Sequence, residues 1–428
     1  MTMKKTYSQS TLALHAGYEF DTQRTISVPI YQNTAYSFEN LQQAKARFGL
    51  EELGNIYSRL TNPTVDILQR RLASVEGGAF AVCTSSGSAA LFYALVNCAQ
   101  NGDNVIYSNK IYGGSQTLFC HTLKRFGIEA RVFDIDDIEN SLPKVIDSNT
   151  KAIFFESLSN PQISIADVEK ITQIAKKHQI ISICDNTVAT PFLHHPFEFG
   201  VDVVTHSLSK YVNGQGNALG GIIIERDGLN AFIKGNARYG AFNTPDASYH
   251  GLVYADLDLP IFSIRVLIEW LRNIGATLSP QNAWLILQGL ETLNLRITQH
   301  SQNALKVAEF LEQHSNIGEV SYPGLSKNPY YPLLKKYFKN SYASGLLSFE
   351  AKDYEHAQSI CNHVEIFKIV ANLGDSKSLI IHPASTTHSQ LNADELKDAG
   401  ITPSTVRLSI GLECAQDLIE DLKQAIEK

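Results

Sequence analysis

Short apolar runs alternate with amphipathic segments through the middle of the chain. Each run is four to six residues long and ends abruptly in polar residues, which is typical of buried strands. The predicted strands are FAVCT (80–84), NVIYS (104–108), AIFFES (152–157), ISICD (181–185), VDVVTH (201–206) and GGIIIE (220–225). Strands that alternate with helices favour an α/β fold with a mostly parallel central sheet that is covered on both faces.

The helices between and after these strands are predicted from apolar periodicity and from capping residues. Thr64 is expected to cap a helix that ends at Gly77, and the stretch 165–174 carries an apolar stripe at helical spacing. Ser279 and Pro280 resemble an N-cap and first helical residue, and apolar positions continue from there to residue 311. One long helix is therefore predicted to lead into a second domain.

That second domain is smaller and also α/β. Its predicted strands are GLLSFE (345–350), IFKIVAN (366–372) and VRLSIGLE (406–413), with a helix in DYEHAQSICNHV. We therefore expect three parts: an N-terminal arm (1–58) with a short helix over 41–48, a large domain (59–278), and a small C-terminal domain (279–428). An arm of this length is expected to pack on a neighbouring subunit.

Composition and charge exclude several classes of partner. The chain has 428 residues, 44% of them hydrophobic, and a net charge of -7. This mild charge gives no reason to expect binding to nucleic acid or to a membrane surface. The sequence has no apolar run of membrane-spanning length and no CxxC pair among its six cysteines. Because residues 1–17 contain no adequate apolar segment, we do not expect secretion. We expect a cytoplasmic protein with reduced thiols.

Candidate chemistry lies where two neighbouring strands end. Asp185 closes one strand, and Ser207, Ser209 and Lys210 follow the next. Open α/β sheets bind their ligands at this edge. A lysine that forms an imine, hydroxyls that hold phosphate and an acid that pairs with a ring nitrogen would suit pyridoxal phosphate (PLP). Taken singly, a lysine such as Lys210 in a polar turn is far more often a solvated surface charge, and an aspartate such as Asp185 after a strand is usually a cap or turn residue. The combination of the two at strand ends is what favours the site.

Other polar residues at strand ends leave two interpretations open. The turn SSGS (85–88) can cradle a phosphate at a helix N-terminus, or it can be an ordinary tight loop. Tyr112 can lie flat on a ligand or pack locally, and Arg59 beside Tyr57 can bind an anion or be solvated. Arg407, within an apolar strand, needs an anionic partner, either a structural or a substrate carboxylate. His382 and His388 are too isolated to indicate a metal site.

Several of these motifs, taken in order, resemble the Cys/Met-metabolism PLP-dependent enzymes, which have the aspartate aminotransferase-like fold (fold type I). The resemblance extends over nearly the whole chain. Its markers are YSRLTNPT, SSGSAA, YGGS, ESLSNP, DNTVATP, HSLSKYVNGQG, HPASTTHS and VRLSIGLE. This chain departs from the family pattern in having Ser88 for Met or Gln, Ser209 for Thr and Gln215 for His, and none of these changes removes a catalytic group.

The resemblance implies a role for each matching residue. Lys210 is expected to bind the cofactor covalently, Asp185 to pair with its ring nitrogen, and Tyr112 to stack on its ring. Backbone amides of Gly87 and Ser88, with Ser207 and Ser209, are expected to hold its phosphate. Tyr57 and Arg59 are expected to contact the phosphate of a neighbouring subunit's cofactor. The residues expected to bind the substrate are Asn160, Asn372 and Arg407.

The resemblance also implies an activity and an assembly. Within the family, the long arm, PDASYHGLVY and ANLGDSKSLIIHPASTTHSQL point to γ-replacement on O-acetyl-L-homoserine by sulfide or methanethiol, with no metal. Methionine γ-lyase activity and cystathionine γ-synthase activity, with cysteine as acceptor, remain alternatives. So do a PLP-binding protein without turnover and a sheet protein that binds another phosphate ligand. The expected assembly is a homotetramer of dimers with shared active sites.

Overall fold

The computed structural model describes residues 7–386 and 400–428. Their strands form two sheets, one of seven strands and one of five. The strands are β1 Phe80–Thr84, β2 Asn104–Ser108, β3 Glu129–Phe133, β4 Thr150–Glu156, β5 Ile181–Asp185, β6 Val203–Ser207, β7 Gly221–Glu225, β8 Val320–Ser321, β9 Leu346–Glu350, β10 Lys368–Ile369, β11 Leu379–Ile381 and β12 Thr405–Ser409.

The seven-stranded sheet has the order β1-β7-β6-β5-β4-β2-β3. Strands β2 to β6 pair in parallel, and β7 lies antiparallel between β1 and β6. Alternate residues enter different hydrophobic clusters, as Val105 and Ile106 do, because successive side chains point to opposite faces. The predicted mostly parallel sheet with both faces covered is confirmed.

Helices cover these faces and form much of the second domain. The helices of seven or more residues are Gln9–His15, Leu41–Phe48, Pro63–Glu76, Gly87–Cys98, Val168–Lys177, Pro280–Glu291, Leu293–Gln313, Tyr331–Tyr337, Tyr354–His363 and Ala415–Ile426. Shorter helical segments are Gly113–Thr117, Leu118–Thr122, Leu123–Phe126, Ile138–Ser141, Leu142–Val145, Thr190–Leu193, Pro196–Phe199, Leu229–Ile233, Ala237–Tyr239, Gly240–Asn243, Ala247–Tyr249, Tyr254–Asp256, Ile261–Arg265, Val266–Leu271, Arg272–Ile274, Lys339–Ser341 and Pro383–Ser385.

Two predicted helix features differ in the structure. Asn62, and not Thr64, caps the helix Pro63–Glu76, because the Asn62 side chain accepts hydrogen bonds from the amides of Thr64 and Val65. Ser279 caps its helix as predicted. The long helix predicted beyond it is two helices, which meet at Thr292.

The sequence prediction missed several short elements. Strand β3 lies at the sheet edge with mostly half-exposed residues, and β8 is two residues long, so neither has a clear apolar run. Strand β11 and the helix Gln9–His15 were also missed. Of the predicted strand 366–372, only Lys368–Ile369 pairs. The predicted arm helix over 41–48 is confirmed as Leu41–Phe48.

The five-stranded sheet has the order β10-β11-β12-β9-β8, so β12 lies at its centre. The large sheet spans residues 80–225 and the small one spans 320–409. The boundaries at 58 and 278 stay a prediction. Part of the HPASTTHS motif, including His388, lies outside the described residues. In the ranges 7–386 and 400–428, the helices are all too short or too polar to cross a bilayer.

Candidate active site

A cavity of about 290 Å³ lies between the carboxyl ends of the large-sheet strands and the edge of the second domain. Open α/β sheets bind ligands at this edge because loops from several strands converge there. The cavity is lined by predicted site residues, namely Gly87, Ser88, Tyr112, Asn160, Asp185, Ser207, Ser209, Lys210, Asn372 and Arg407. The structure brings these ten together, while their individual roles stay predictions.

Lys210 lies in the turn that follows β6 and extends its amine into the cavity. Its Nζ donates a hydrogen bond of 2.6 Å to Oδ1 of Asn372. Burial, together with the positive charge of Arg407, lowers the pKa of the Lys210 amine to about 8. A substantial fraction of this amine is therefore neutral near pH 8 and able to act as a nucleophile or base.

Asp185 ends β5, with its carboxylate at the cavity. One oxygen accepts from the amide of Thr187 at 2.9 Å, and the other accepts from the hydroxyl of Thr205 at 3.5 Å. Burial raises the pKa of Asp185, and hydrogen bonds from Thr187 and Thr205, with an electrostatic effect of His206, oppose that rise. No lysine or arginine pairs with this carboxylate among the ion pairs of residues 7–386 and 400–428. It is therefore suited to a cationic ligand group.

The helix Gly87–Cys98 begins at the cavity and directs its first amides toward it. Ser86 caps this helix by accepting from the amide of Ala89 at 3.2 Å. A Cβ at Gly87 would lie 2.6 Å from Cβ of Ser207, so only glycine allows the helix to begin this close to β6. Free amides at a helix N-terminus, beside a serine hydroxyl, form a site for a phosphate.

Ser209 also faces this helix start, but its hydroxyl already has partners. The Ser209 Oγ donates to the carbonyl of Gly220 at 3.3 Å and accepts from the amide of the same residue at 3.0 Å. These bonds fix the turn between β6 and β7. The Ser209 hydroxyl would therefore have to exchange its long bond to Gly220 in order to donate to a phosphate.

The loop after β2 places Tyr112 at the cavity with about half of its surface exposed. Its amide donates to Oε1 of Glu156 at 2.7 Å. The other oxygen of Glu156 accepts from the amide of Asn160 at 3.2 Å. Glu156 thus fixes two loops of the site at once, although it was not among the residues predicted from the sequence. An acid at the end of the apolar run AIFFE was the available signal.

Arg407 lies in the central strand of the second sheet and is 5% exposed. Its guanidinium donates to Oδ1 of Asn160 at 3.0 Å and to the carbonyl of Asn372 at 2.9 Å. Its Nε is buried without a hydrogen-bond partner among the described atoms. Burial lowers its pKa to about 10, so it is still a cation at neutral pH. Both partners are neutral, which suits Arg407 to an anionic ligand.

Tyr57 and Arg59 are the predicted site residues that the cavity of this chain does not include. Both are exposed, and the Arg59 guanidinium lies 5.5 Å from the centre of the Tyr57 ring. They lie outside the lining of the cavity that contains Lys210. This placement agrees with a contribution to a neighbouring subunit, which stays a prediction.

The residues of the cavity fit pyridoxal phosphate. They offer a lysine amine of lowered pKa, a carboxylate without a cationic side-chain partner in the described ranges, an exposed tyrosine ring and a helix N-terminus that a Cβ would block. The fold and the cavity together define a PLP-dependent enzyme of fold type I. The chain belongs to the Cys/Met metabolism PLP-dependent enzymes, whose family profile matches residues 10–427.

The chain is similar to proteins of known name. It is 43% identical to the O-acetyl-L-homoserine sulfhydrylase of Corynebacterium glutamicum over 96% of this chain and 95% of that protein. It is 40% identical to the homocysteine synthase of Schizosaccharomyces pombe, covering 97% of each. A crystal structure assigned as a Campylobacter jejuni O-acetylhomoserine (thiol)-lyase, with a pyridoxyl phosphate group on a lysine, has 71% identity and a TM-score of 0.98. It covers 99% of this chain and 100% of that one.

Proposed function

We propose that this enzyme catalyses γ-replacement, converting O-acetyl-L-homoserine and sulfide to L-homocysteine and acetate. With methanethiol as the acceptor, the product is L-methionine. The observation that carries the proposal is that Lys210 and Arg407 line one cavity and both bond to Asn372, in a chain whose relatives are named sulfhydrylases and homocysteine synthases.

PLP, when bound, supplies an electron sink that stabilises negative charge at the α-carbon of the substrate. The protein holds it through six groups that line the cavity. Amides of Gly87 and Ser88, with the hydroxyls of Ser207 and Ser209, hold the phosphate. Asp185 keeps the ring nitrogen protonated, and the Tyr112 ring packs on the face of the cofactor.

Lys210 moves the protons of the reaction. Once its amine is free and neutral, Nζ takes a proton from the α-carbon of the substrate and later returns it. Asn372 accepts a hydrogen bond from this amine and so limits where it can move. The lowered pKa of Lys210 allows this role near neutral pH.

The substrate carboxylate binds at Arg407. Arg407 offers a buried guanidinium with only neutral partners, and Asn160 accepts one of its bonds. A carboxylate at this position directs the rest of the amino acid toward Lys210. The acetyl ester then lies away from Arg407, where loss of acetate leaves a site for the incoming sulfide.

We further propose a homotetramer of dimers with shared active sites. Tyr57 and Arg59 lie outside the cavity of their own chain, and the arm exposes large apolar side chains such as Ile26 and Leu41. Mixing Lys210→Ala subunits with Arg59→Ala subunits tests sharing. Each mixed dimer contains one intact site, so recovery of about a quarter of wild-type activity is expected. No recovery on mixing would show that the sites are not shared.

The domain division at residues 58 and 278 is also part of this proposal, as is action in the cytoplasm. All six cysteines are free, and burial raises the pKa of Cys361 to about 12. Such thiols persist in a reducing compartment. Cell fractionation checks the location, and limited proteolysis checks the boundaries.

One kinetic comparison tests the reaction. Purified enzyme is supplied with O-acetyl- or O-succinyl-homoserine, each with sulfide, with cysteine or without an acceptor. The proposal predicts acetate release and homocysteine with the acetyl ester and sulfide. Release of acetate and ammonia without an acceptor at the same rate would indicate a γ-lyase. Preferred use of cysteine would indicate a synthase.

A further inference from the structure

A buried carboxylate and imidazole, in hydrogen-bond contact with each other, lie directly behind the cofactor site. Nε2 of His206 is 2.8 Å from Oε2 of Glu76, and both side chains are fully buried. Glu76 is the last residue of the helix Pro63–Glu76, and His206 is on β6 beside Ser207. A buried pair of this kind costs desolvation energy. The proton transfers proposed above do not use either residue.

The second oxygen of Glu76 connects this pair to the turn that carries Asp185. Oε1 of Glu76 accepts from the side-chain amide of Asn186 at 2.9 Å. The same Asn186 amide donates to the carbonyl of His194 at 3.0 Å, and its Oδ1 accepts from the hydroxyl of Ser157 at 2.8 Å. Every polar atom of the Asn186 side chain is therefore bonded, which fixes the residue next to Asp185.

The strand ends on both sides hold the same turn. The backbone amide of Asn186 donates to the carbonyl of Thr205 at 3.0 Å, and the backbone amide of Ser157 donates to the carbonyl of Asp185 at 3.0 Å. Electrostatic interaction with His206 also lowers the pKa of the Asp185 carboxyl, against the larger effect of burial. His206 thus acts on Asp185 as well as on Glu76.

We propose that Glu76 and His206 are positioning residues for Asp185, which hold its carboxylate in place and ionised against the protonated ring nitrogen of PLP. This inference rests on the proposed role of Asp185. It adds to that role a buried, hydrogen-bonded support that runs from the end of the helix Pro63–Glu76 to the turn that carries Asp185.

The test uses the purified apoprotein and two cofactors: PLP and its 1-deaza analogue, in which a C–H group replaces the ring nitrogen. A support for Asp185 affects only the cofactor that has this nitrogen. Kd values for both are measured for wild type, Glu76→Gln, His206→Gln and the double variant. Glutamine at position 76 keeps the shape of the side chain and an acceptor for Asn186, so Glu76→Gln supplies the result if His206→Gln does not fold.

The expected result is an increase of about tenfold in the Kd of PLP, with less than about twofold change for the deaza analogue. The double variant is expected to lose no more than either single variant, because the two residues act as one unit. His382→Gln is the matched control. This buried histidine makes two hydrogen bonds, to Ser385 and Pro403, and its loss should leave the ratio of the two Kd values unchanged.

Equal weakening of both cofactors would show that the pair supports only the fold, and unchanged affinity would show no role; either result overturns the inference. Absence of turnover with O-acetyl-L-homoserine and sulfide in the wild-type protein would refute the proposed reaction instead. That outcome leaves the ratio of the two cofactor affinities unaffected, so the two failures are distinguishable.

Discussion

The two walls of the cavity each carry a buried charge, of opposite sign, held by uncharged hydrogen-bonding groups at the cavity edge. On the large-sheet wall, Asp185 accepts from Thr187 and Thr205. On the second-domain wall, Arg407 donates to Asn160 and to the carbonyl of Asn372. Neutral partners orient a charge without neutralising it, so each wall retains an attraction for a ligand.

The walls differ in what they can bind. The large-sheet wall combines a carboxylate, a helix N-terminus and Lys210, which suits a cofactor with a cationic ring and a phosphate. The second-domain wall offers a cation alone, which suits a substrate carboxylate. By contrast, Arg71, also buried, lies 2.9 Å from the carboxylate of Glu291 and is therefore closed to ligands. The comparison implies that cofactor affinity and substrate affinity can be changed separately.

The largest expected effect comes from replacing Lys210, because its amine both anchors the cofactor and transfers protons of the substrate. Lys210→Ala removes the covalent anchor and the base together, so turnover of O-acetyl-L-homoserine should fall about 10⁴-fold or more. Release of acetate is the measurement. Lys335→Ala, at an exposed lysine, is the control and should keep full activity. Near-normal turnover in Lys210→Ala would remove the assignment.

Arg407→Lys should change substrate affinity and spare the cofactor. Lysine keeps the charge but loses the two-pronged geometry, so KM should rise about 10- to 100-fold while the Kd of PLP stays the same. Steady-state kinetics and cofactor titration check both values. Arg131→Lys, at an edge-strand ion pair, should change neither. Loss of PLP affinity in Arg407→Lys would contradict the separation of the two walls.

The pH dependence of kcat should depend on groups from both walls of the cavity. Lys210 acts as a base only when neutral, so kcat should rise with pH up to the pKa of about 8 and level off above it. The Arg407 charge contributes to this lowered pKa. Arg407→Gln should therefore move the midpoint upward, whereas Arg407→Lys should leave it in place. A midpoint that is the same in Arg407→Gln would show that the charge has no such effect.

Thr205→Val should give the smallest effect, which should be limited to the cofactor affinity of the large-sheet wall. The Thr205 hydroxyl donates one long bond, of 3.5 Å, to Asp185. Its loss should raise the Kd of PLP about two- to fivefold and leave KM unchanged. Thr172→Val removes a buried hydroxyl that donates to Phe199, outside the cavity lining, and serves as the control. A larger change in KM than in cofactor Kd would contradict the assignment of Thr205 to this wall.

The central sheet and the part of the cavity at its strand ends were predictable from the sequence for one physical reason. Apolar runs such as ISICD end abruptly in a polar residue, and parallel strands bring such ends to one edge. That rule places Asp185 and Lys210 together before any coordinates are known. It also predicts the central sheet, because buried parallel strands are apolar throughout.

The supporting contacts were not predictable in this way. Glu156 bonds to the amide of Tyr112, 44 residues away, and Glu76 pairs with His206 across 130 residues. No local pattern encodes partners at such separations. Edge strands such as Glu129–Phe133 were missed because half-exposed residues do not form an apolar run.

The most direct test of the account is to trap the cofactor on its lysine. Reduction of the PLP-bound enzyme with borohydride, followed by digestion and mass spectrometry, identifies the residue that carries the phosphopyridoxyl group. The account predicts one modified peptide, with the group on Lys210. A label on another lysine, or on none, would contradict it.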